Sequence, residues 1–229
     1  MIIKGLQRHT LIDYPGKIAC VVFTFGCNFR CGYCHNPELI VDDGRPEISQ
    51  QEVLDFLKER VGFLDGVVIS GGEPTLNGDL PNFISKIKQM GFSVKLDTNG
   101  TNPKMLKELM DRNLLDYIAM DIKGPLEDYD KIANVKVDID KIKKSVDIVK
   151  NFRDYEFRTT AVPELFDTNI ARKIGEWLDG SKRFYLQQFR GIKNLDKSFN
   201  GKSSFSKNDL EEFCKTMKPY FDECRIRGV

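Results

Sequence analysis

The chain has 229 residues, 41% of them hydrophobic and 30% charged, and its 35 basic and 34 acidic residues leave a formal charge of +1. That balance excludes global steering toward nucleic acid or anionic lipid. The longest apolar runs, Ala19 to Phe23 and Val67 to Ile69, fall far short of the roughly 20 residues a membrane span needs.

Met1-Ile2-Ile3-Lys4 does not open a signal peptide, so a soluble, cytoplasmic protein is expected, with one domain over residues 1–229. Residues 1–16 read as an N-terminal lead-in, 17–190 as the core, and 191–229 as a loop, helix and short strand. In chain order, Ile18 to Phe25 is β-branched and aromatic and predicts a buried strand running into a cysteine loop. Ser49-Gln50-Gln51-Glu52 is a capping-box pattern, followed by Val53, Leu54, Phe56, Leu57 and Val61 at helical spacing. Val67 to Ser70 is a strand broken by Gly71-Gly72-Glu73-Pro74. Asp79 is expected to cap a helix carrying Leu80, Phe83, Ile84 and Ile87, which Gly91 stops.

A strand over Phe92 to Asp97, a helix over Pro103 to Arg112 and a strand over Tyr117 to Ile122 follow. Next come a helix over Ile139 to Lys150, a strand over Tyr155 to Val162, a helix over Asp167 to Leu178 and a strand over Arg183 to Phe189. Gly191 to Ser206 reads as a loop able to act as a lid. A helix over Lys207 to Tyr220 and a short strand near Glu223 to Arg227 close the chain.

Successive β-then-α units imply an α/β fold, a parallel sheet with outer helices. An open doubly wound sheet and a barrel both satisfy the pattern. The unusual residues decide, because Cys27/Cys31/Cys34, Gly71-Gly72-Glu73, Asp97 to Gly100, Asp121/Lys123 and Gln187-Gln188-Phe189 all fall at strand C-termini. Five strands supplying polar groups to one mouth suit a partial TIM barrel of the (β/α)6 type better than a crevice at one switch point.

Six cysteines are present, and three of them crowd into residues 27 to 34. A disulfide framework does not suit a chain of this size whose clustered cysteines cannot easily pair with one another. Three thiolates in one loop suit zinc or an iron–sulfur cluster. Structural zinc wants a fourth ligand, and His35, directly after Cys34, would have to fold back to supply it. A four-iron four-sulfur cluster on three cysteines leaves one iron open.

Cys27-x3-Cys31-x2-Cys34, with Tyr33 before the last cysteine, resembles the signature of radical S-adenosylmethionine (SAM) enzymes, and Gly71-Gly72-Glu73-Pro74 resembles their second motif. The resemblance implies that Cys27, Cys31 and Cys34 ligate a 4Fe-4S cluster whose open iron chelates the amino and carboxylate groups of SAM. Gly71, Gly72 and Glu73 would then approach the methionine ammonium, with Tyr33 also among the cofactor-binding residues. Ile12-Asp13-Tyr14-Pro15-Gly16, Thr24 to Cys27, Cys34-His35-Asn36-Pro37-Glu38 and Leu96-Asp97-Thr98-Asn99-Gly100 are together similar to the glycyl-radical-enzyme activases. Within that branch the likeness is greatest to activators of anaerobic ribonucleoside-triphosphate reductase, with activators of pyruvate formate-lyase nearby.

This likeness implies Asp97, Asp121 and Lys123 near the cofactor carboxylate and a monovalent cation, Arg158 pointing at the cofactor, and Gln187, Gln188 and Phe189 beside the adenosine. It also implies a glycyl-radical enzyme as macromolecular partner and a flavodoxin or ferredoxin as electron donor, with no nucleic acid or membrane. The radical chemistry then belongs to cluster and SAM, and no side chain need act as acid or base, consistent with only two histidines.

Two other readings compete: a small-molecule radical SAM enzyme such as a 7-carboxy-7-deazaguanine synthase, and a non-enzymatic zinc module. Cys20, Cys214 and Cys224 read as structural thiols, His9 as surface, His35 as ordering its loop, Trp177 as core, and Lys141 to Lys144 as a solvated helix face.

Overall fold

Residues 1–229 are described by the structure, a computed structural model. Eight strands form one sheet in the order in which the chain makes them. β1 (Ile3–Thr10) is antiparallel to β2 (Ala19–Thr24). β3 (Gly66–Gly71), β4 (Ser93–Thr98), β5 (Tyr117–Asp121), β6 (Tyr155–Ala161), β7 (Ser181–Gln188) and β8 (Phe221–Arg227) then follow β2 in parallel. A doubly wound sheet would reverse strand order at a switch point, and this one does not. β1 and β8 do not pair with each other, so the sheet is a partial barrel.

The connections carry α1 (Gln50–Lys58), α2 (Leu80–Gln89), α3 (Pro103–Asp111), α4 (Tyr129–Ala133), α5 (Ile139–Lys150), α6 (Thr168–Trp177) and α7 (Lys207–Met217). Ser49 makes the expected capping box: its hydroxyl accepts from the Glu52 amide and its amide donates to Glu52 Oε2. Asp79 does not cap α2. Its carboxylate turns to the Met1 nitrogen and to Gln50 Nε2 at 2.7 Å, tying α2 to the start of α1.

Two elements depart from the expected pattern. The lead-in 1–16 contains strand β1, whose exposed middle residues lack the apolar signature of a buried strand. The five-residue α4, too short to show a helical period, precedes α5.

Forty-nine buried residues form the core, among them Cys20, Val22, Val67, Ile69, Leu96 and Phe157. The pleat sends alternate residues to opposite faces, and Ala19, Val21, Val68 and Ala119 form a second cluster with Tyr14 and Tyr117 on the inner face. Tyr14 and Tyr117 lie 6.0 Å apart, ring to ring. The bare Cα of Gly66 admits Tyr14, because a Cβ there would sit 3.0 Å from its ring. The Ile12-to-Gly16 motif therefore closes the inner face at the N-terminal end of the strands, opposite the cysteine loop.

Candidate functional site

The cysteine loop leaves the C-terminal end of β2 and is held from four directions. From β3, the Gly72 amide donates to the Thr24 carbonyl at 2.9 Å and the Glu73 amide to the Gly26 carbonyl at 2.8 Å. From the β4 turn, Asn99 Nδ2 donates to Asn28 Oδ1 at 2.9 Å and lies 3.9 Å from Cys27 Sγ. From α4, the Ala133 carbonyl accepts from the Arg30 amide at 2.9 Å, and Tyr129 meets Phe29 edge to face. From the 191–206 segment, the Leu195 and Asp196 amides donate to the Cys34 and Gly32 carbonyls, both at 2.9 Å. Phe199 packs its ring 6.4 Å from Tyr33. That segment is thus a clamp on the cysteine loop and not a free lid.

Tyr33 is buried and serves the loop's packing, while His35 is exposed. Cys31 is 6% exposed, and Cys27 and Cys34 are half-buried. Burial pushes the Cys27 thiol up to about 11 and also raises Cys31 and Cys34, with Lys123 opposing the rise at each. No group of three His, Cys, Asp or Glu side chains converges tightly enough to share a single ion. The donor set, three soft thiols spread through one rigid loop, fits a cubane that offers separate irons to separate ligands.

Gly71 and Gly72 are glycines because the two loops touch. At Gly71, with φ +125°, a Cβ would lie 2.3 Å from the Thr24 backbone; at Gly72 it would lie 2.0 Å from the Gly26 oxygen. Glu73 is 1% exposed. Its Oε1 accepts from the Thr75 amide at 3.1 Å, from the Thr98 hydroxyl at 2.8 Å, and from the Thr75 hydroxyl. Its Oε2 accepts from the Asn99 amide at 2.6 Å. Burial pushes this carboxyl up, and the donors pull against that rise. Glu73 thus binds the turns after β3 and β4 together beneath the thiol loop.

The inner face above the Tyr14 plug is charged. Asp97 Oδ1 is 2.5 Å from Lys95 Nζ, and Asp97 Oδ2 accepts from Ser70 Oγ at 3.0 Å and lies 3.2 Å from Arg158 Nη2. Arg158 Nε also donates to Asp121 Oδ1, and Asp121 Oδ2 is 3.2 Å from Lys123 Nζ. Side-chain exposure climbs from Lys95 at 1% through Arg158 at 13% to Asp121 at 28%, so the row rises from the interior to the rim. Burial raises both carboxyls, but the cations outweigh it and hold Asp97 and Asp121 below the usual carboxylate range. Removing one partner from such a buried pair typically costs about 3–5 kcal/mol.

A second network lies on the same face. Glu156, fully buried, takes both Nη atoms of Arg227 at 2.5 and 2.8 Å and the Tyr117 hydroxyl at 2.7 Å. It pins the edge strand β8 to the middle of the sheet.

The structure brings Asp97, Asp121, Lys123 and Arg158 together, and places Cys27, Cys31, Cys34 and Glu73 at the same end of the strands. It does not bring Gln188 to them. Arg158 pairs with Tyr185, and Thr160 with Gln187, so the pleat puts Gln187 on the charged face and Gln188 on the helix side, where its Nε2 donates to the Phe205 carbonyl at 2.7 Å. Asn99, part of the Leu96-to-Gly100 motif, joins the site through Asn28 and the Glu73 carboxylate, and Lys95 completes it although no motif contains it. The signal for Lys95 was its spacing: a residue two before Asp97 on a strand must share its face.

The description "Radical SAM superfamily" matches residues 21–171. A Methanocaldococcus jannaschii protein that bears the name of a glycyl-radical enzyme activating enzyme is 35% identical over 100% of this chain and 96% of its own length. The pyruvate formate-lyase-activating enzyme of Clostridium pasteurianum is 26% identical over 82% of this chain and 95% of its own. Among solved structures, Streptococcus suis SuiB bound to S-adenosylmethionine superposes with TM-score 0.71 at 15% identity over 91% of this chain. The chain spans about half of SuiB, 50% of it. The anSMEcpe structure with bound AdoMet gives TM-score 0.61 at 20% identity, covering 89% of this chain and 62% of that one. These two likenesses concern the fold alone.

Proposed function

The chain belongs to the radical SAM superfamily and, within it, to the glycyl-radical enzyme activating enzymes, and we propose that the partner it activates is an anaerobic ribonucleoside-triphosphate reductase. The observation that carries the catalytic reading is the convergence, at one end of one open sheet, of three clamped thiols, the Glu73 turn and the Asp97–Arg158–Asp121 row. The family's cofactors are a 4Fe-4S cluster and SAM, and when bound they supply one-electron cleavage of the sulfonium and removal of a hydrogen atom from a glycine Cα.

Cys27, Cys31 and Cys34 would hold the cluster. Their loop is fixed on all sides, so ligand positions are set before loading. Arg158, Lys95 and Lys123 outnumber the two carboxylates they contact and would draw in the SAM carboxylate. Tyr33 and Phe199 pack together at the side of the loop and would keep water from it. The three thiols would give up their protons when the cluster is loaded, and after that no residue of this chain need gain or lose one. A glycine loop from a large partner would enter at this end of the open sheet, and a flavodoxin or ferredoxin would deliver the electron.

A pyruvate formate-lyase-type partner is the second reading, favoured by the near-equal length of the Clostridium relative. The test incubates reconstituted, reduced protein anaerobically with SAM and each candidate enzyme, reading the glycyl radical by electron paramagnetic resonance (EPR) and counting 5′-deoxyadenosine. A radical on the reductase, with stoichiometric deoxyadenosine, is the expected result. A radical only on the formate-lyase would replace the partner. Catalytic deoxyadenosine with a nucleobase-like substrate and no radical on either protein would overturn the activase reading.

A further inference from the structure

All four carboxylate oxygens of Asp97 and Asp121 are engaged, and by three cationic side chains: Lys95 on one oxygen, Arg158 on two, Lys123 on the fourth. Three positive charges against two negative leave this row at +1 before anything binds. A free monovalent cation between the two carboxylates, as the resemblance implies, would have to displace one of these side chains. Otherwise it would add a second unmatched charge where little water can screen it. The residues present do not fit that ion.

Lys95 is the reason. Its ammonium, 1% exposed, has Asp97 as its one ion-pair partner, with the Tyr117 ring 6.0 Å away. Ammonium groups and monovalent metal ions carry the same charge, and this one is delivered by the strand that carries Asp97, so it arrives with folding at a fixed position. We propose that Lys95 is a built-in counter-ion which takes the place of a free monovalent cation beside Asp97 and leaves the row ready for one carboxylate. Lys95 is a positioning residue: it touches Asp97, which in turn orients Arg158. The inference rests on the reading that the carboxylate of SAM docks at this row, and it makes that docking independent of sodium and potassium.

The test has two arms, each run in choline, sodium or potassium chloride at one ionic strength. In the first, without SAM, the melting temperature of the wild-type protein should not change between salts. Lys95→Met should melt lower in choline and regain stability with sodium or potassium. In the second, SAM binding to the cluster-loaded protein is followed by anaerobic equilibrium dialysis. Wild-type affinity should be the same in all three salts, and that of Lys95→Met about tenfold weaker in choline and restored by the small cations.

Wild-type protein that melts higher, or binds SAM more tightly, in sodium or potassium than in choline overturns the proposal. So does a Lys95→Met protein that matches wild type in every salt. If Lys95→Met does not fold, the wild-type salt series still decides. Wild-type protein that binds no SAM in any salt would overturn the docking reading instead, and the melting arm would still judge Lys95.

Discussion

Cys31→Ala should abolish both the broad visible absorbance of the reconstituted protein and its reductive cleavage of SAM. Of the three thiols in the loop, Cys31 is the most buried, 6% exposed, and it sits between residues anchored to α4 and residues anchored to the 191–206 segment. The backbone on each side is fixed by bonds that do not involve its sulfur: Arg30 to Ala133, and Asp196 to Gly32. The substitution thus removes a proposed ligand while leaving the loop in place. Two remaining thiols cannot hold three irons, and no other cysteine can take over, since Cys20 is buried on β2 and Cys214 and Cys224 lie in contact with each other between α7 and β8. The melting temperature before reconstitution should move little, because deleting one buried sulfur costs only about 1 kcal/mol. An unchanged spectrum with retained cleavage would remove Cys31 from the ligand set.

Gly72→Ala should impair the same cluster without touching a thiol. A Cβ at this position would stand 2.0 Å from the Gly26 oxygen and 3.1 Å from the Cys27 nitrogen, both backbone atoms that cannot rotate away. The Glu73-to-Gly26 hydrogen bond of 2.8 Å must open, and Cys27 moves with it. Overpacking of this kind costs about 1–3 kcal/mol, which for a chain this long lowers the melting temperature by several degrees. Iron content after reconstitution should fall more steeply than stability, since the strain is delivered to the cysteine loop. Gly78→Ala is the control, because nothing lies within 4 Å of a Cβ there. Equal iron content in the two variants would mean that the β3 turn does not position the loop.

Much of this was legible because local rules and the global fold agree. Ser49 and Glu52 announce α1 by a reciprocal pair of hydrogen bonds that needs nothing beyond four residues. Ile139 to Lys150 carries its helical period along its whole length, and the structure gives the same limits. The thiol spacing and the glycine pair are similarly local.

The misses share a different origin. β1 runs at an edge with its middle residues exposed, so no hydrophobic alternation marks it. Asp79 is a good cap by type, but a tertiary partner, Gln50, claims its carboxylate. Gln188 and Gln187 cannot be told apart until the register with β6 fixes which one faces inward. Lys95 carries no local mark of burial, and only the folded sheet encloses it with Asp97. In each of these cases the deciding partner is distant in sequence or hidden by the sheet's closure.

The measurement that bears most directly on the account is EPR of the anaerobically reconstituted, dithionite-reduced protein with and without SAM. A reduced four-iron signal that shifts when SAM is added is the predicted result, because it requires three protein ligands, one open iron and cofactor docked at the same end of the sheet. A colourless, EPR-silent protein that retains zinc, or a cluster signal that SAM leaves unchanged, would contradict it.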